Sequence, residues 1–199
     1  GINRYETAKI IAEEVENKVG SVNTAIIAYG ENFPDALSAS SFAGYKKYPI
    51  LLALNDSIPS YTQAALNDLG ISNTIIVGGE GVISSTVESQ LPNPIRKWGQ
   101  NRYETSVEIS NYGVSQGLSW NKTMFATGEN FPDALAGGTY GAIISAPMLL
   151  VYPTSLDVTP DTKNSLQTNK ANINTCVFLG GTGAVSQAVE NSIKSLLQW

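Results

Sequence analysis

Two polar loops and two arginine-tyrosine pairs recur along this chain and supply its best candidates for ligand binding. Eight residues make up the two copies, each 98 positions from its counterpart (102 − 4 = 98): Arg4, Tyr5, Asn32, Asp35, Arg102, Tyr103, Asn130 and Asp133. An arginine fork can hold a carboxylate or phosphate through paired hydrogen bonds, and a tyrosine ring can stack on a sugar. The pattern indicates a repeated site for an anionic polymer.

The same residues also have structural interpretations that the sequence leaves open. Asn32 suits a helix N-cap, and Asp35 three residues later can complete a capping box. Each arginine could instead form an ion pair with the aspartate of its own or of the next repeat, Asp35 or Asp133. A tyrosine at a helix start is also ordinary packing. Architecture and ligand contact are both retained for these positions.

The composition gives little indication of a catalytic or cofactor-binding site. The chain has no histidine, which removes the commonest general base and metal ligand. Its one cysteine, Cys176, lies in an apolar run, so we expect a buried, inert thiol. The glycine-rich stretches 78–81 and 180–183 resemble phosphate-binding loops but lack a Walker lysine, and tight turns explain them equally well. We expect no catalytic residue, no metal ion and no cofactor.

An enzyme, such as a glycosidase or amidase, is the rival class of function. Glu31 and Asp35 could be imagined as the two carboxylates of a glycoside hydrolase. The whole loop is duplicated, however, and we do not expect a catalytic pair to survive in two copies. A net charge of −5 argues against nucleic-acid binding, and no apolar run reaches the roughly 18 residues of a membrane span.

Alternating helices and strands must position these residues. One repeat predicts helices at 5–19, 33–45, 59–69 and 84–91, and strands at 24–29, 49–54, 74–77 and 95–98. The strands are continuous apolar runs, which indicates parallel strands buried on both faces. The predicted fold class is α/β, with tandem Rossmann-like or Toprim-like modules whose small parallel sheets are flanked by helices.

The repeat predicts the domain boundary as well. The segment 30–37 recurs letter for letter at 128–135, and 78–84 pairs with 180–186 at an offset of 102 after an insertion around 153–159. We predict one module at 1–98 and a second at 99–199, called here the first and second unit. We expect the chain to be a piece of a longer array, with an exposed apolar flank where a further unit would pack.

Four motifs in order carry a resemblance to a known family: Asn-Arg-Tyr-Glu-Thr, Gly-Glu-Asn-Phe-Pro-Asp-Ala-Leu, Pro-Ile-Leu-Leu and Val-Gly-Gly-Glu-Gly-Val-Ile-Ser. Together they resemble the cell wall binding repeat 2 family, over essentially the whole chain, twice. The resemblance implies a Toprim-like fold in secreted Gram-positive surface and S-layer-associated proteins. It also implies non-covalent anchoring to an anionic secondary cell-wall polysaccharide.

The resemblance further implies modules in threes around a pseudo-threefold axis, whereas this chain shows two. We therefore expect further modules as partners, in cis or in trans, and neither nucleic acid nor membrane. A structural array module without glycan affinity is a third alternative. The Pro-Ile-Leu-Leu motif at 49–52 is interpreted as a buried strand or a module interface.

Overall fold

The computed structural model describes all 199 residues and alternates helices with strands. The first unit contains α1 (Arg4–Val19), β1 (Thr24–Tyr29), α2 (Pro34–Lys46), β2 (Ile50–Ala53), α3 (Ser60–Asp68), β3 (Asn73–Val77), α4 (Ser85–Glu88) and β4 (Pro94–Lys97). The second contains α5 (Arg102–Ser115), β5 (Lys122–Thr127), α6 (Pro132–Ile143), β6 (Met148–Val151), α7 (Pro160–Asn169), β7 (Thr175–Phe178) and α8 (Gln187–Leu197). None of these helices has the length and apolar character needed to cross a membrane.

The strands form two separate parallel sheets, one in each unit. The strand order is β2-β1-β3-β4 in the first sheet and β6-β5-β7 in the second. The central strands β1 and β5 are buried along almost their whole length, because helices cover both faces of each sheet. The predicted class, α/β with small parallel sheets flanked by helices, is confirmed.

The units share part of their hydrophobic interior. Ile27 and Leu51 belong to a core made only of first-unit residues, whereas Phe125 belongs to one made only of second-unit residues. Two further clusters mix the units, and in one of them Ile109 of α5 packs among side chains of the first sheet and of α2, including Phe42. The two units are therefore joined by continuous packing.

Helices α2 and α6 meet at this shared interior through small residues. A Cβ atom added at Gly138 would lie 2.3 Å from Ser40 Oγ, and one added at Gly44 would lie 2.7 Å from the Cβ of Ala142. The absence of side chains at these glycines lets the two helices approach closely. Phe33 and Phe131 extend the contact, with ring centroids 5.6 Å apart.

Three features depart from what the sequence predicts. Ile11 has the apolar spacing of a core residue on the first helix, yet it is 55% exposed, because nothing in the first unit covers that face. Helix α4 spans only Ser85–Glu88, shorter than predicted, while its counterpart α8 extends over Gln187–Leu197. The fourth strand, Pro94–Lys97, occurs in the first sheet only.

Candidate functional site

The start of α5 presents Arg102 to the junction between the units. Asn101 Oδ1 accepts hydrogen bonds from the N–H groups of Tyr103 at 2.9 Å and Glu104 at 3.0 Å, so Asn101 is the N-cap that begins the helix. Arg102, the first residue of the helix, donates through Nη1 to the carbonyl of Gly128, just beyond β5. These bonds hold the guanidinium at the carboxyl end of the second sheet.

A cleft of about 340 Å³ lies where the two units meet. The loops after β1, β3 and β4 supply Asn32, the stretch 79–82 and Trp98, while the first turn of α2 supplies Asp35 and the start of α5 supplies Arg102. All three loops follow the carboxyl ends of parallel strands, which is where open α/β sheets bind ligands. The cleft therefore combines residues that neither unit holds alone.

Asp35 and Arg102 face this cleft as an acidic and a basic group. The carboxylate of Asp35 packs against Gly78, where an added Cβ would lie 2.7 Å from Oδ2. Burial raises the pKa of the Asp35 carboxyl, and the positive charge of Arg102 opposes that rise. The two side chains do not form a salt bridge, so the predicted arginine-aspartate ion pair is wrong.

The capping interpretation of the first loop is also wrong. The N-cap of α2 is Phe33, and no side chain caps that helix end. Asn32 Oδ1 instead accepts a hydrogen bond from the N–H of Phe33 at 2.9 Å. Asp35 lies in the first turn, where a negative charge favours the helix dipole. Asn32 and Asp35 are consequently left as lining groups of the cleft.

Tyr5 and Tyr103 are each hydrogen bonded to a glutamate of their own unit. The hydroxyl of Tyr5 donates to Glu31 Oε1 at 2.6 Å, and the hydroxyl of Tyr103 donates to Glu129 Oε1 at 2.6 Å. The Tyr5 ring lies against Gly30, where an added Cβ would be 2.7 Å from Cε1. Burial, followed by the bond to Glu31, raises the pKa of Tyr5 to about 12. Neither ring lines the cleft.

The eight predicted residues therefore separate into distinct places. The cleft brings together Asn32, Asp35 and Arg102. Arg4 and Asn32 line a neighbouring groove of about 260 Å³, and Arg4 Nη1 lies 3.6 Å from Glu31 Oε1. The second loop lies beside the same junction, since Arg102 donates to Gly128 and Phe131 contacts Phe33, but Asn130 and Asp133 do not line the cleft. There Asp133 packs against Gly180, as Asp35 packs against Gly78.

Trp98 also lines the cleft, and the sequence placed it only at the end of a predicted strand and of the first module. Its ring lies beside Gly79, where an added Cβ would be 3.1 Å from Cε3, and the side chain is 45% exposed. Glu80, Gln100 and Thr105 also line the cleft. An open indole beside carboxylates, amides and a guanidinium can stack on a sugar ring and hydrogen bond to its hydroxyls.

Both units expose apolar side chains, as the sequence predicts. On the first unit, Ile11 is 55% exposed, whereas its counterpart Ile109 is 2% exposed beneath the first unit. On the second unit, Leu135 is 61% exposed, whereas its counterpart Leu37 is 6% exposed beneath α6. Residues 49, 50 and 52 of the Pro-Ile-Leu-Leu motif line an apolar groove of about 460 Å³ against α1.

Cys176 does not line the cleft. Cys176 is half-buried on β7, less covered than the sequence predicts, and burial raises the pKa of its thiol to about 12. A thiol with so high a pKa is almost wholly protonated near neutral pH and is a poor nucleophile. No group of three or more cysteine, aspartate or glutamate residues is placed to hold a metal ion.

The chain is similar in sequence to two amidase-related proteins. The chain is 34% identical over 195 residues to the N-acetylmuramoyl-L-alanine amidase LytC and 32% identical over 197 residues to an amidase enhancer, both of Bacillus subtilis (strain 168). Each alignment covers 98% of this chain, but only 37% and 25% of the respective relatives. The chain thus spans less than half the length of these proteins.

Solved structures show the same fold. Cwp6 from Clostridium difficile superposes with a TM-score of 0.86 at 28% identity, over 98% of this chain and 31% of that one. Cwp8 from Clostridium difficile superposes with a TM-score of 0.78 at 25% identity, over 98% of this chain and 33% of that one. The family Cell wall binding domain 2 matches twice, at residues 1–88 and 96–190. The chain therefore belongs to the cell wall binding domain 2 family and is located at the cell wall or cell surface.

Proposed function

We propose that this chain anchors a surface protein non-covalently to a Gram-positive cell wall by binding an anionic secondary cell-wall polysaccharide in the cleft between its units. One observation carries the proposal: the cleft joins Arg102 of the second unit to Asn32, Asp35 and the exposed ring of Trp98 in the first. The guanidinium suits an anionic group of the polymer, and the indole and polar groups suit its sugar rings.

We further propose that the chain itself has no catalytic activity. Glu31 and Asp35, the two carboxylates considered for a glycosidase, lie in different surroundings. Glu31 accepts a hydrogen bond from the Tyr5 hydroxyl, whereas Asp35 packs against Gly78. The amidase relative is much longer than this chain, so its chemistry is compatible with a separate domain. Incubation with wall glycans and muropeptides should release no product, and turnover that Asp35→Asn abolishes would favour the enzyme instead.

We also propose that residues 1–98 and 99–199 are two modules of a larger set arranged around a pseudo-threefold axis. The exposed faces around Ile11 and Leu135 support this arrangement. Their buried counterparts, Ile109 and Leu37, already pack against the neighbouring unit. Further modules, in cis or in trans, would cover both exposed faces in the same way.

Arg102→Ala tests the binding site, and Arg4→Ala is its matched control. Both arginines donate to a glycine carbonyl at the same point of the repeat, yet only Arg102 lines the cleft. With purified wall polysaccharide, Arg102→Ala should weaken binding about tenfold or more, equal to about 1.4 kcal/mol, and Arg4→Ala should change it far less. Binding should also weaken with salt, because exposed charges are screened.

Three results would count against this assignment. A larger loss from Arg4→Ala than from Arg102→Ala would place the site outside the cleft, in the groove that Arg4 lines. Undiminished binding by Arg102→Ala together with a large drop in its melting temperature would make the arginine purely architectural. No binding of any wall polysaccharide by the unaltered chain would favour the structural array module.

A further inference from the structure

Helices α5 and α7 of the second unit enclose a polar groove of about 240 Å³. Three carboxylates line it, those of Glu104 and Glu108 on α5 and of Asp161 on α7, and no lysine or arginine does. Most of the other lining side chains are amides and hydroxyls, including Asn111 and Asn164. The groove shares no residue with the cleft between the units, so it is a separate candidate site.

The carboxylates of this groove have no cation within the chain. None of the three takes part in a salt bridge, and Lys163 of α7 pairs instead with Asp157 at 2.6 Å. One of them, Glu104, accepts the N–H of Gln100 at 2.6 Å. Like charges around one groove repel, and an opposite charge bound among them favours their ionised forms. A cationic group is therefore the complement that this groove lacks.

A buried hydroxyl in the same groove also lacks a partner. Ser165 is 7% exposed, and its Oγ is the one buried side-chain oxygen or nitrogen of the chain without a hydrogen-bond partner. Leaving a buried polar atom unpaired costs free energy, so such an atom calls for an explanation. Because Ser165 lines the groove, its hydroxyl can accept a hydrogen bond from a donor that binds there.

The corresponding helices of the first unit can be aligned residue by residue. Helix α1 corresponds to α5 at the offset of 98. The hydroxyl of Thr62 on α3 donates to the carbonyl of Leu52 at 2.6 Å, and that of Thr162 on α7 donates to the carbonyl of Leu150 at 2.9 Å. Helix α3 therefore corresponds to α7 at an offset of 100 (162 − 62 = 100).

In the first unit, an ammonium group joins the two corresponding helices. Lys9 Nζ of α1 lies 3.1 Å from Asp68 Oδ2 of α3, and it also donates to Glu13 Oε1. The lysine side chain is only 18% exposed. A protonated primary amine held by two carboxylates thus lies between α1 and α3.

The second unit carries no such internal amine. The counterparts of the lysine and of its two carboxylate partners are uncharged: Val107, Asn111 and Thr168. Carboxylates appear at other positions of the same two helices, with Glu108 in place of Ile10 and Asp161 in place of Tyr61. The second unit therefore offers acceptors for an ammonium group without supplying the amine itself.

We propose that the groove between α5 and α7 binds a sugar residue that carries a protonated amino group. The ammonium group would donate to Glu108, Asp161 and the hydroxyl of Ser165. The amides of Asn111 and Asn164 would hydrogen bond to the sugar hydroxyls. The groove is smaller than the roughly 300–1,000 Å³ of pockets for drug-sized ligands, so it suits a single sugar residue. The proposal does not depend on the binding of an anionic polymer in the cleft.

An amino sugar suits this lining better than a metal ion or a lysine side chain does. Calcium needs about six to eight oxygen ligands that converge on one point, and no three carboxylates of the chain are placed to hold a metal ion. A lysine stem covers apolar surface, whereas Val107 is the only apolar side chain of the groove. An ammonium group on a sugar matches both the spaced carboxylates and the amides.

The test is a nuclear magnetic resonance titration of the intact chain with glucosamine and N-acetylglucosamine at low salt. At about pH 6 the glucosamine amine is protonated and the carboxylates of the groove are ionised. Glucosamine at millimolar concentration should shift the amide signals of α5 and α7. N-acetylglucosamine has the same ring without the charge, so it should bind about tenfold or more weakly.

Substitutions in the groove should separate the charge from the hydroxyl. Glu108→Gln should weaken glucosamine binding about tenfold, as expected for the loss of a charged hydrogen bond. Ser165→Ala should also weaken it, and the melting temperature should not fall, because the first unit has Ala65 at the equivalent position. Glu14→Gln, at an exposed glutamate of α1 outside the groove, is the matched control and should leave binding unchanged.

A variant of the first unit tests the comparison between the units. Lys9→Ala would leave Glu13 and Asp68 without their cation. Methylammonium, a small primary amine, should then shift the amide signals of α1 and α3, and it should not do so in the unaltered chain. Equal shifts with and without the lysine would show only diffuse attraction to acidic surface and would count against the proposal.

Other results would overturn it directly. The two sugars could bind equally well, or glucosamine could bind with its affinity unchanged by Glu108→Gln. Tighter binding of Nα-acetyl-lysine amide than of glucosamine would assign the groove to a protein side chain. The same amide shifts produced by calcium at a lower concentration would assign it to a metal ion.

Discussion

At the scale of single residues, the cleft places the half-buried carboxyl group of Asp35 near the guanidinium of Arg102, but the two groups form no salt bridge. Asp35 is desolvated among the loops after β1 and β3, while Arg102 is held by the carbonyl of Gly128. A buried carboxylate without an ion-pair partner costs stability, and natural proteins keep such groups mainly where function uses them. This supports Asp35 as a group kept for the ligand.

Asp35→Asn should raise stability near neutral pH. The pKa of Asp35 is raised in the folded protein, so the folded state holds the proton more tightly than the unfolded state. The resulting contribution to the free energy of unfolding is fully present below the ordinary pKa of an aspartate. It is lost as the pH rises through the raised pKa. The variant should melt about 2 °C or more above the unaltered chain at pH 7, and this advantage should vanish below about pH 4.

Thermal melting at several pH values measures this difference. The exposed Asp56→Asn is the control and should leave the melting temperature unchanged at every pH. An advantage of Asp35→Asn that persisted undiminished at pH 3 would show that desolvation of the charged carboxylate is not its origin.

At the scale of elements, the packing of α2 on α6 decides how the units are joined. Ser40 and Gly138 are equivalent positions of the repeat, and they contact one another (138 − 40 = 98). The small side chains of these helices bring the two N-terminal loops together at one end of the interface, where Phe33 meets Phe131. The geometry of the cleft depends on this contact.

Gly138→Ala should destabilise the chain, although alanine is the better helix former by about 1 kcal/mol. The new Cβ would lie 2.3 Å from Ser40 Oγ and 2.7 Å from Ser40 Cβ, so the helices must separate. Overpacking of this kind costs about 1–3 kcal/mol, measurable by urea unfolding. Gly183→Ala is the control, since nothing lies within 4 Å of its added Cβ. A gain in stability for Gly138→Ala would show that α2 and α6 are not in such close contact.

At the scale of the whole molecule, the two ends expose complementary apolar faces. The exposed face around Ile11 on the first unit corresponds to the face around Ile109, which is buried on the second unit. The exposed face around Leu135 on the second unit corresponds to the face around Leu37, which is buried on the first. Contiguous exposed apolar surface commonly marks an interface. Copies of this chain should therefore associate head to tail when no further module is present.

Ile143→Lys should reduce that association without loss of fold. Ile143 is 76% exposed on α6, so a lysine there costs little in one chain but places a charge in the contact between chains. Sedimentation at rising concentration should show association for the unaltered chain and mainly monomer for the variant. Val158→Lys, exposed away from this face, is the control; an unaltered chain that stayed monomeric throughout would refute the complementary-face argument.

The sequence by itself determined the repeat, the order of elements and the fold class of this protein. Continuous apolar runs such as Thr24–Tyr29 dictate buried parallel strands, and the constant offset dictates two equivalent units, because these patterns are local. The repeat also singled out Arg102, Asn32 and Asp35, which line the cleft.

Only the tertiary structure decided which of those residues meet. Arg102 joins Asn32 and Asp35 because α2 packs on α6 and α5, a contact between units that no local spacing encodes. The tyrosines are held by glutamates 26 residues away, and the N-cap of α2 is Phe33, with no side-chain cap, rather than Asn32. The exposure of Ile11 and burial of Ile109 likewise depend on which neighbour is present, since identical helix faces are covered or open according to long-range packing.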